Sequence, residues 1–300
     1  MTDLAGRVAG APITWGVCEV PGWGYQMPAE RVLSEMRSLG LRATELGPDG
    51  FLPLGSERAL LEANGLSLVA GFVPAVLHDR SSLEEELAKV DAAADRISAL
   101  GGSVLVLAAS TGADGYEVAG RLDAAGWVAL AHGIDRVMAS AGERGLRVAL
   151  HPHHGTVVER PEDVERLLDV SGVGLCLDTG HVMVGGGDPV AIARTAGSRV
   201  IHVHLKDADA AIAARVAAGD LGYHAAVAAG LYRPLGEGDL EVRAVLRAVE
   251  ESAGAVWYVL EHDEVLDHEP EAGSGPLLDA RRSLAFLGQA WEEVGSTTGR

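Results

Sequence analysis

The sequence predicts an α/β protein built as a single (β/α)8 barrel over residues 1–300, with an irregular insertion after the seventh strand. Three observations carry that expectation. Eight short runs rich in Val, Ile and Leu alternate with longer helical patterns along the chain. The runs are mostly apolar without strict alternation, as parallel strands buried on both faces should be. The first run also lacks the glycine-rich phosphate loop of a doubly wound sheet, because Gly16, Gly22 and Gly24 do not follow that spacing.

The elements are expected in this order. A first strand, APITWGV (11–17), precedes a helix over 29–40 whose Val32, Leu33, Met36 and Leu39 share one face and whose Gly40 is a natural stop. Strands follow at LRATELG (41–47) and LSLVAGFV (66–73). The pattern over 81–102 opens with serines and acidic residues, which suit a helix N-terminus, and stops at paired glycines. GSVLVLAA (102–109) is the fourth strand, and residues 121–145 form the next helix. LRVALHPH (146–153) is the fifth strand, followed by a helix at 161–170 that starts on Pro161, a favourable first helical residue. VGLCLDTG (173–180), a helix at 188–197 and RVIHVHLK (199–206) come next. The insertion (207–239) follows strand seven. A helix at 240–252, the strand VWYVLEH (256–262) and a helix at 276–293 finish the chain. Loops at the C-terminal ends of barrel strands build the active site, so the insertion is expected to cover it.

Composition narrows the function classes. The chain is 48% hydrophobic and 22% charged, which allows a buried core, and its net charge of −19 opposes binding to nucleic acid or to an anionic membrane surface. No run approaches a membrane span, and the N-terminal stretch MTDLAGRVAGAPITWG lacks the basic and apolar regions of a signal peptide. A cytoplasmic protein, with a homo-oligomer left open, is the expectation. Cys18 and Cys176 are the only cysteines and imply no disulfide framework.

Chemistry concentrates in four segments, VALHPHHG (148–155), GLCLDTGH (174–181), VIHVHLKD (200–207) and WYVLEHD (257–263). Each ends an apolar run with side chains able to bind metal, and eight of the eleven histidines lie between His151 and His262. Side chains alternate across a strand, so His151/His153, His202/His204 and Glu261/Asp263 are same-face pairs. On four adjacent barrel strands, His151, Asp178, His204 and Glu261 could meet around one divalent ion. Mixed nitrogen and oxygen donors suit Mn2+, Co2+, Fe2+ or Zn2+ better than Ca2+. His153 and His202 are expected to support the site or face substrate, and His154 to point away. Lys206, one of only two lysines, falls inside a candidate metal segment.

At these residues the chain resembles the xylose-isomerase-like TIM barrel superfamily of sugar isomerases and epimerases, and within it the inosose (2-keto-myo-inositol) dehydratases. The segments APITWGVCEVPGWG, ATELGPDGFLP, HPHHGTVVERPEDVERLLD, LCLDTGHVMVGGGDP, HVHLKD, RPLGEGDLEV and WYVLEHD carry the resemblance. It implies metal ligands at His151, Asp178, His204 and Glu261, with Mn2+ or Co2+ ahead of Mg2+, Fe2+ or Zn2+. Ketose 3-epimerases carry Glu on strand five, where this chain has His151, so the symmetrical second base is missing. That favours elimination: a metal-dependent lyase dehydrating an inosose or related polyhydroxy ketone through an enediolate. A metal-dependent isomerase or epimerase on a keto-sugar or inosose is the alternative. Glu261, or a carboxylate beside it, is the expected base, and His181 or Lys206 the group that protonates the leaving hydroxyl. Glu45 is expected to bind hydroxyls or share proton transfer, and Trp15 and Trp23 to wall the ring. Glu237 is expected only to shape its loop.

Overall fold

A computed structural model describes residues 6–113 and 115–297. Residues 1–5, 114 and 298–300 belong to the expected 1–300 span, and the first five to the stretch read for a signal peptide; they lie outside the described residues.

Eight parallel strands close a barrel. They are β1 (Val8–Gly10), β2 (Ala43–Glu45), β3 (Ser67–Ala75), β4 (Val104–Ala109), β5 (Arg147–Leu150), β6 (Gly174–Asp178), β7 (Val200–Leu205) and the last barrel strand, Tyr258–Leu260. Between β7 and that last strand lie two short strands, β8 (Asp207–Ala208) and β9 (Tyr232–Arg233), so the last is β10. Sequential strands neighbour one another around the ring, and β10 pairs with both β7 and β1.

The alternation of side chains explains how the site is placed. Outward residues such as Leu150, Leu175, Leu177, Val203 and Leu205 pack under the helices in the main core. Each fully buried side chain of this kind contributes about 1.5–3 kcal/mol of apolar transfer. Inward residues low in the barrel are small or apolar, among them Ala9, Ala43, Ala149, Cys176 and Val259. Two residues further along the same faces stand Glu45, His151, Asp178 and Glu261, at the C-terminal rim. The alternation that fills the barrel bottom therefore points the functional groups at its mouth.

The helices follow their signals. α1 (Ala29–Ser38) buries Val32, Leu33 and Met36 as its spacing demands. α3 (Leu83–Ala99) carries Glu84, Glu85 and Glu86 in its first turn. The Asp123 carboxylate accepts the Gly126 N–H at the start of α4 (Ala124–Glu143). α5 (Pro161–Val170), α7 (Pro189–Ala196), α10 (Val242–Ser252) and α11 (Pro276–Thr297) occupy their expected places. No described helix is long and apolar enough to cross a membrane.

Several boundaries move. The first strand is not 11–17 but Val8–Gly10, and Pro12–Trp15 form a 3-10 turn. Pro12 lacks an N–H for the ladder and its fixed φ suits a helical turn, so the strand ends before it. α2 (Glu57–Ala63) fills a gap where no helix was expected. β5 and β10 are shorter than expected, so His151, His153 and Glu261 stand just past their strands. The insertion is more regular than expected. It holds α8 (Ala210–Ala217), α9 (Tyr223–Ala228) and the antiparallel β8–β9 ribbon. Asp207, the last residue of HVHLKD, pins it by accepting N–H bonds from Ala208, Gly236, Gly238 and Leu240. Its place in the motif is thereby explained by loop anchoring.

Candidate active site at the barrel mouth

A cavity of about 360 Å³ opens at the C-terminal rim. Its lining includes His151, His153, His181, His204, Lys206, Glu45, Glu261, Asp263 and Trp23. The turn after β6 makes α6 (Thr179–Val184), whose first N–H groups face Asp178. Asp178 Oδ1 accepts the His181 N–H at 2.8 Å, so this carboxylate caps the helix while its other oxygen faces the site.

That second oxygen gathers the cluster. Asp178 Oδ2 lies 2.7 Å from Lys206 Nζ, 3.2 Å from His151 Nε2 and 3.6 Å from His204 Nδ1. Lys206 Nζ also pairs with Glu261 Oε2 and lies 3.3 Å from Asp263 Oδ1. His204 Nδ1 is 3.1 Å from Glu261 Oε2 without hydrogen-bond geometry, and its Nε2 is 3.1 Å from Glu45 Oε1. The same Glu45 oxygen meets His202 Nε2 at 2.8 Å. All these side chains are buried.

Charge and burial oppose one another here, and charge wins at the carboxylates. Burial works against ionising Asp178, but the Lys206 ammonium and neighbouring imidazoles hold its carboxyl well below the usual range. Glu261 and Glu45 are lowered in the same way against burial, Glu261 by His204 and Lys206, Glu45 by His204 and His202. Lys206 is pushed up by Asp178, Asp263 and Glu261 despite its burial. Burial drives His153 and His181 down, reinforced at His153 by His151 and at His181 by His153, whose ring lies 3.7 Å away. Asp263 stands apart, since burial and the nearby Glu261 and Asp178 raise it to about 6.

The donor set fits a divalent cation. Ligand atoms of Asp178, His204 and Glu261 lie within 4.8 Å of one another. His151 joins overlapping groups, with Asp178 and His181 and with Cys176 and His204, and its buried Nδ1 has no hydrogen-bond partner among the described residues. The geometry therefore brings three of the four expected ligands into one set and sets His151 against Asp178 at its edge.

His153 lines the cavity and donates from Nδ1 to the His154 carbonyl at 2.7 Å, so its Nδ1 carries the proton. His154 points elsewhere, its Nδ1 2.9 Å from Glu159 Oε1. His202 does not line the cavity, so it does not face substrate; it lies beneath His204 and supports the site through its bond to Glu45. Trp15, expected to wall the ring, does not line the cavity either. It is fully buried in the main core, its indole N–H bonded to Glu35 at 2.8 Å, because the 3-10 turn rotates it away from the mouth. Trp23 does wall the cavity, held by an N–H bond to the Glu264 carbonyl at 2.8 Å. Glu237 pairs with Arg282 at 2.8 Å in its loop.

Residue-by-residue reading of the sequence missed an aromatic wall. Tyr223 donates to Asp263 Oδ2 at 2.9 Å and lies 3.0 Å from the Tyr232 hydroxyl. Tyr116 stacks on His153 at 4.2 Å between ring centres. Two of these tyrosines lie in the insertion already expected to cover the site, which is the only signal the sequence held for them.

Fold and site define an α/β barrel protein with a cavity of carboxylates and imidazoles at its C-terminal mouth. The family model described as xylose isomerase-like TIM barrel matches residues 33–289, and the chain belongs to that family. Among curated proteins it is 30% identical over 269 residues to an inosose dehydratase of Geobacillus kaustophilus, covering 86% of this chain and 87% of that one. It is 32% identical over 266 residues to the rhizopine catabolism protein MocC of Rhizobium meliloti, covering 86% and 82%. Among solved structures, an L-ribulose 3-epimerase superposes with a TM-score of 0.72 at 15% identity, covering 98% of this chain and 97% of that one. The IOLI protein with a bound zinc atom does so with a TM-score of 0.70 at 14% identity, covering 96% and 99%. At those identities the two structures bear on the fold alone.

Proposed function

We propose that this protein is a metal-dependent hydro-lyase, one barrel domain over residues 1–300, that removes water from an inosose or a closely related polyhydroxy ketone. The observation that carries the reading is the convergence of Asp178, His204 and Glu261 around Lys206 beside a cavity of about 360 Å³. Such a volume suits a small ring polyol. The inosose dehydratase relative supports the substrate class.

Asp178, His204 and Glu261, with His151 beside them, would hold one divalent cation, Mn2+ or Co2+ ahead of Mg2+, Fe2+ or Zn2+. When bound it supplies Lewis-acid polarisation of the ketone and lowers the barrier to an enediolate. The chain's own groups do the rest. The Glu261 carboxylate takes the proton from the carbon beside the ketone. The hydroxyl on the next carbon leaves as water, receiving a proton from His181 or Lys206, and the carbon–carbon double bond forms between the two. Trp23 and Tyr116 exclude bulk water from one side of the ring.

Of the alternative, an isomerase or epimerase, the epimerase form needs a second carboxylate free to return the proton on the opposite face. His151 stands where that carboxylate would be, and Glu45 already accepts from two imidazoles.

The test is incubation of the purified protein with 2-keto-myo-inositol and Mn2+ or Co2+, followed by mass spectrometry. Loss of one water, abolished by a chelator and restored by metal, is expected. Intact inosose under all metals would sink the dehydratase reading. Deuterium uptake from D2O without water loss would establish the alternative instead.

A further inference from the structure

Glu45 joins the two histidines of β7 from across the barrel. In the closed order, β1 and β10 separate β2 from β7, so the contact spans the mouth rather than a strand ladder. The pairing of β2 with β3 shifts register between Thr44 and Glu45, an irregularity of the kind that re-aims a side chain at a barrel rim. Glu45 is only 3% exposed, and Oε1 meets His202 Nε2 at 2.8 Å and His204 Nε2 at 3.1 Å.

A carboxylate oxygen is an acceptor, so both imidazoles must present Nε2–H to it. That leaves each ring's Nδ1 to face the other way. For His204 the other way is the carboxylate cluster, with Glu261 Oε2 at 3.1 Å and Asp178 Oδ2 at 3.6 Å. For His202 it is a buried position without a hydrogen-bond partner among the described residues. One glutamate thus fixes both the ring plane of His204 and the nitrogen it offers to the site. We propose that Glu45 is a positioning residue, holding His204 with Nε2–H outward so that its Nδ1 is presented to a divalent cation between Asp178 and Glu261. It does not exchange protons with substrate. This inference rests on the metal-site reading, and it changes the role that the sequence suggested for Glu45.

Carboxylates that orient a metal-binding imidazole alter affinity for the metal itself, by about 10–100-fold when removed. The experiment is calorimetric titration of the full-length, chelator-stripped protein with Mn2+, without substrate. Glu45→Gln keeps size and shape but replaces one acceptor oxygen with a donor, and it should weaken Mn2+ binding by about 10–100-fold. Glu45→Asp, too short to span the mouth, should weaken it in the same direction and covers the case in which the glutamine variant fails to fold. His202→Phe is the control for mere disturbance. It removes an equally buried ring from the same oxygen and should leave the Mn2+ dissociation constant within about twofold, because Glu45 and His204 are retained.

Wild-type affinity in Glu45→Gln together with lost turnover would overturn the proposal and return Glu45 to proton transfer. Equal weakening in His202→Phe would also overturn it, as a packing effect. Absence of Mn2+ binding by the wild type would overturn the metal reading and this inference with it, an outcome distinct from the other two.

Discussion

The Lys206 ammonium sits 2.7 Å from Asp178 Oδ2, the oxygen that also meets His151 Nε2 at 3.2 Å. Lys206 is buried and pairs with Glu261 as well, so one lysine balances two carboxylates that a divalent cation would also balance. Removing the charge from such a pair leaves buried anions uncompensated, at about 3–5 kcal/mol. Lys206→Met should therefore lower the melting temperature of the metal-free protein sharply. Added Mn2+ should recover more stability in the variant than in the wild type, because the cation then has no competitor. Differential scanning calorimetry with and without Mn2+ checks this. Equal metal-induced shifts in both proteins would refute the competition. Turnover should still be lost if Lys206 delivers the proton to the leaving hydroxyl.

Asp178 holds two jobs that substitution can separate. Its Oδ1 caps α6 through the His181 N–H, and its Oδ2 faces the cluster. Asn can still cap but carries no charge, whereas Ala does neither. Both Asp178→Asn and Asp178→Ala should abolish tight divalent-metal binding. The alanine variant should be less stable than the asparagine variant by about 1 kcal/mol, the usual worth of a cap. Urea unfolding of the two metal-free proteins measures the difference. Identical midpoints would show that the cap contributes nothing.

The metal-capable residues were legible because alternation along a strand is rigid. That alternation turns Asp178, His204 and Glu261 inward, and barrel closure then brings them together. What the sequence concealed depends on a single proline and on contacts across the mouth. Pro12 ends β1 early, so Trp15 turns into the core while Trp23, eight residues later, reaches the cavity. The Glu45 link to His202 and His204 joins positions 157 and 159 residues apart, which no local pattern reveals. The Tyr223–Asp263 bond is hidden for the same reason.

That contrast between the tryptophans is measurable. Trp15→Phe removes the N–H bond to Glu35 and some core volume, so stability should fall by about 1–3 kcal/mol with KM for inosose unchanged. Trp23→Phe alters the cavity wall, so KM should rise while the loss of stability is smaller. Steady-state kinetics beside urea unfolding distinguishes them. A raised KM for Trp15→Phe alone would place that ring at the substrate after all.

Glu264 gives the protein a pH dependence of definite sign. Burial, then the charges of Asp279 and Asp263, raise its carboxyl from 4.5 to about 7. The folded state therefore holds this proton more tightly than the unfolded chain does. The resulting stability is fully present below the unfolded value of 4.5 and is lost as pH rises through about 7. The deficit reaches at most about 3 kcal/mol at high pH, and less in practice because solvent reaches part of the side chain. Glu264→Gln cannot ionise, and Trp23 still bonds to the backbone carbonyl at that position. The variant should match the wild type in urea at about pH 5 and exceed it at about pH 8. A stability difference of constant size across that range would mean that Glu264 titrates normally in the fold.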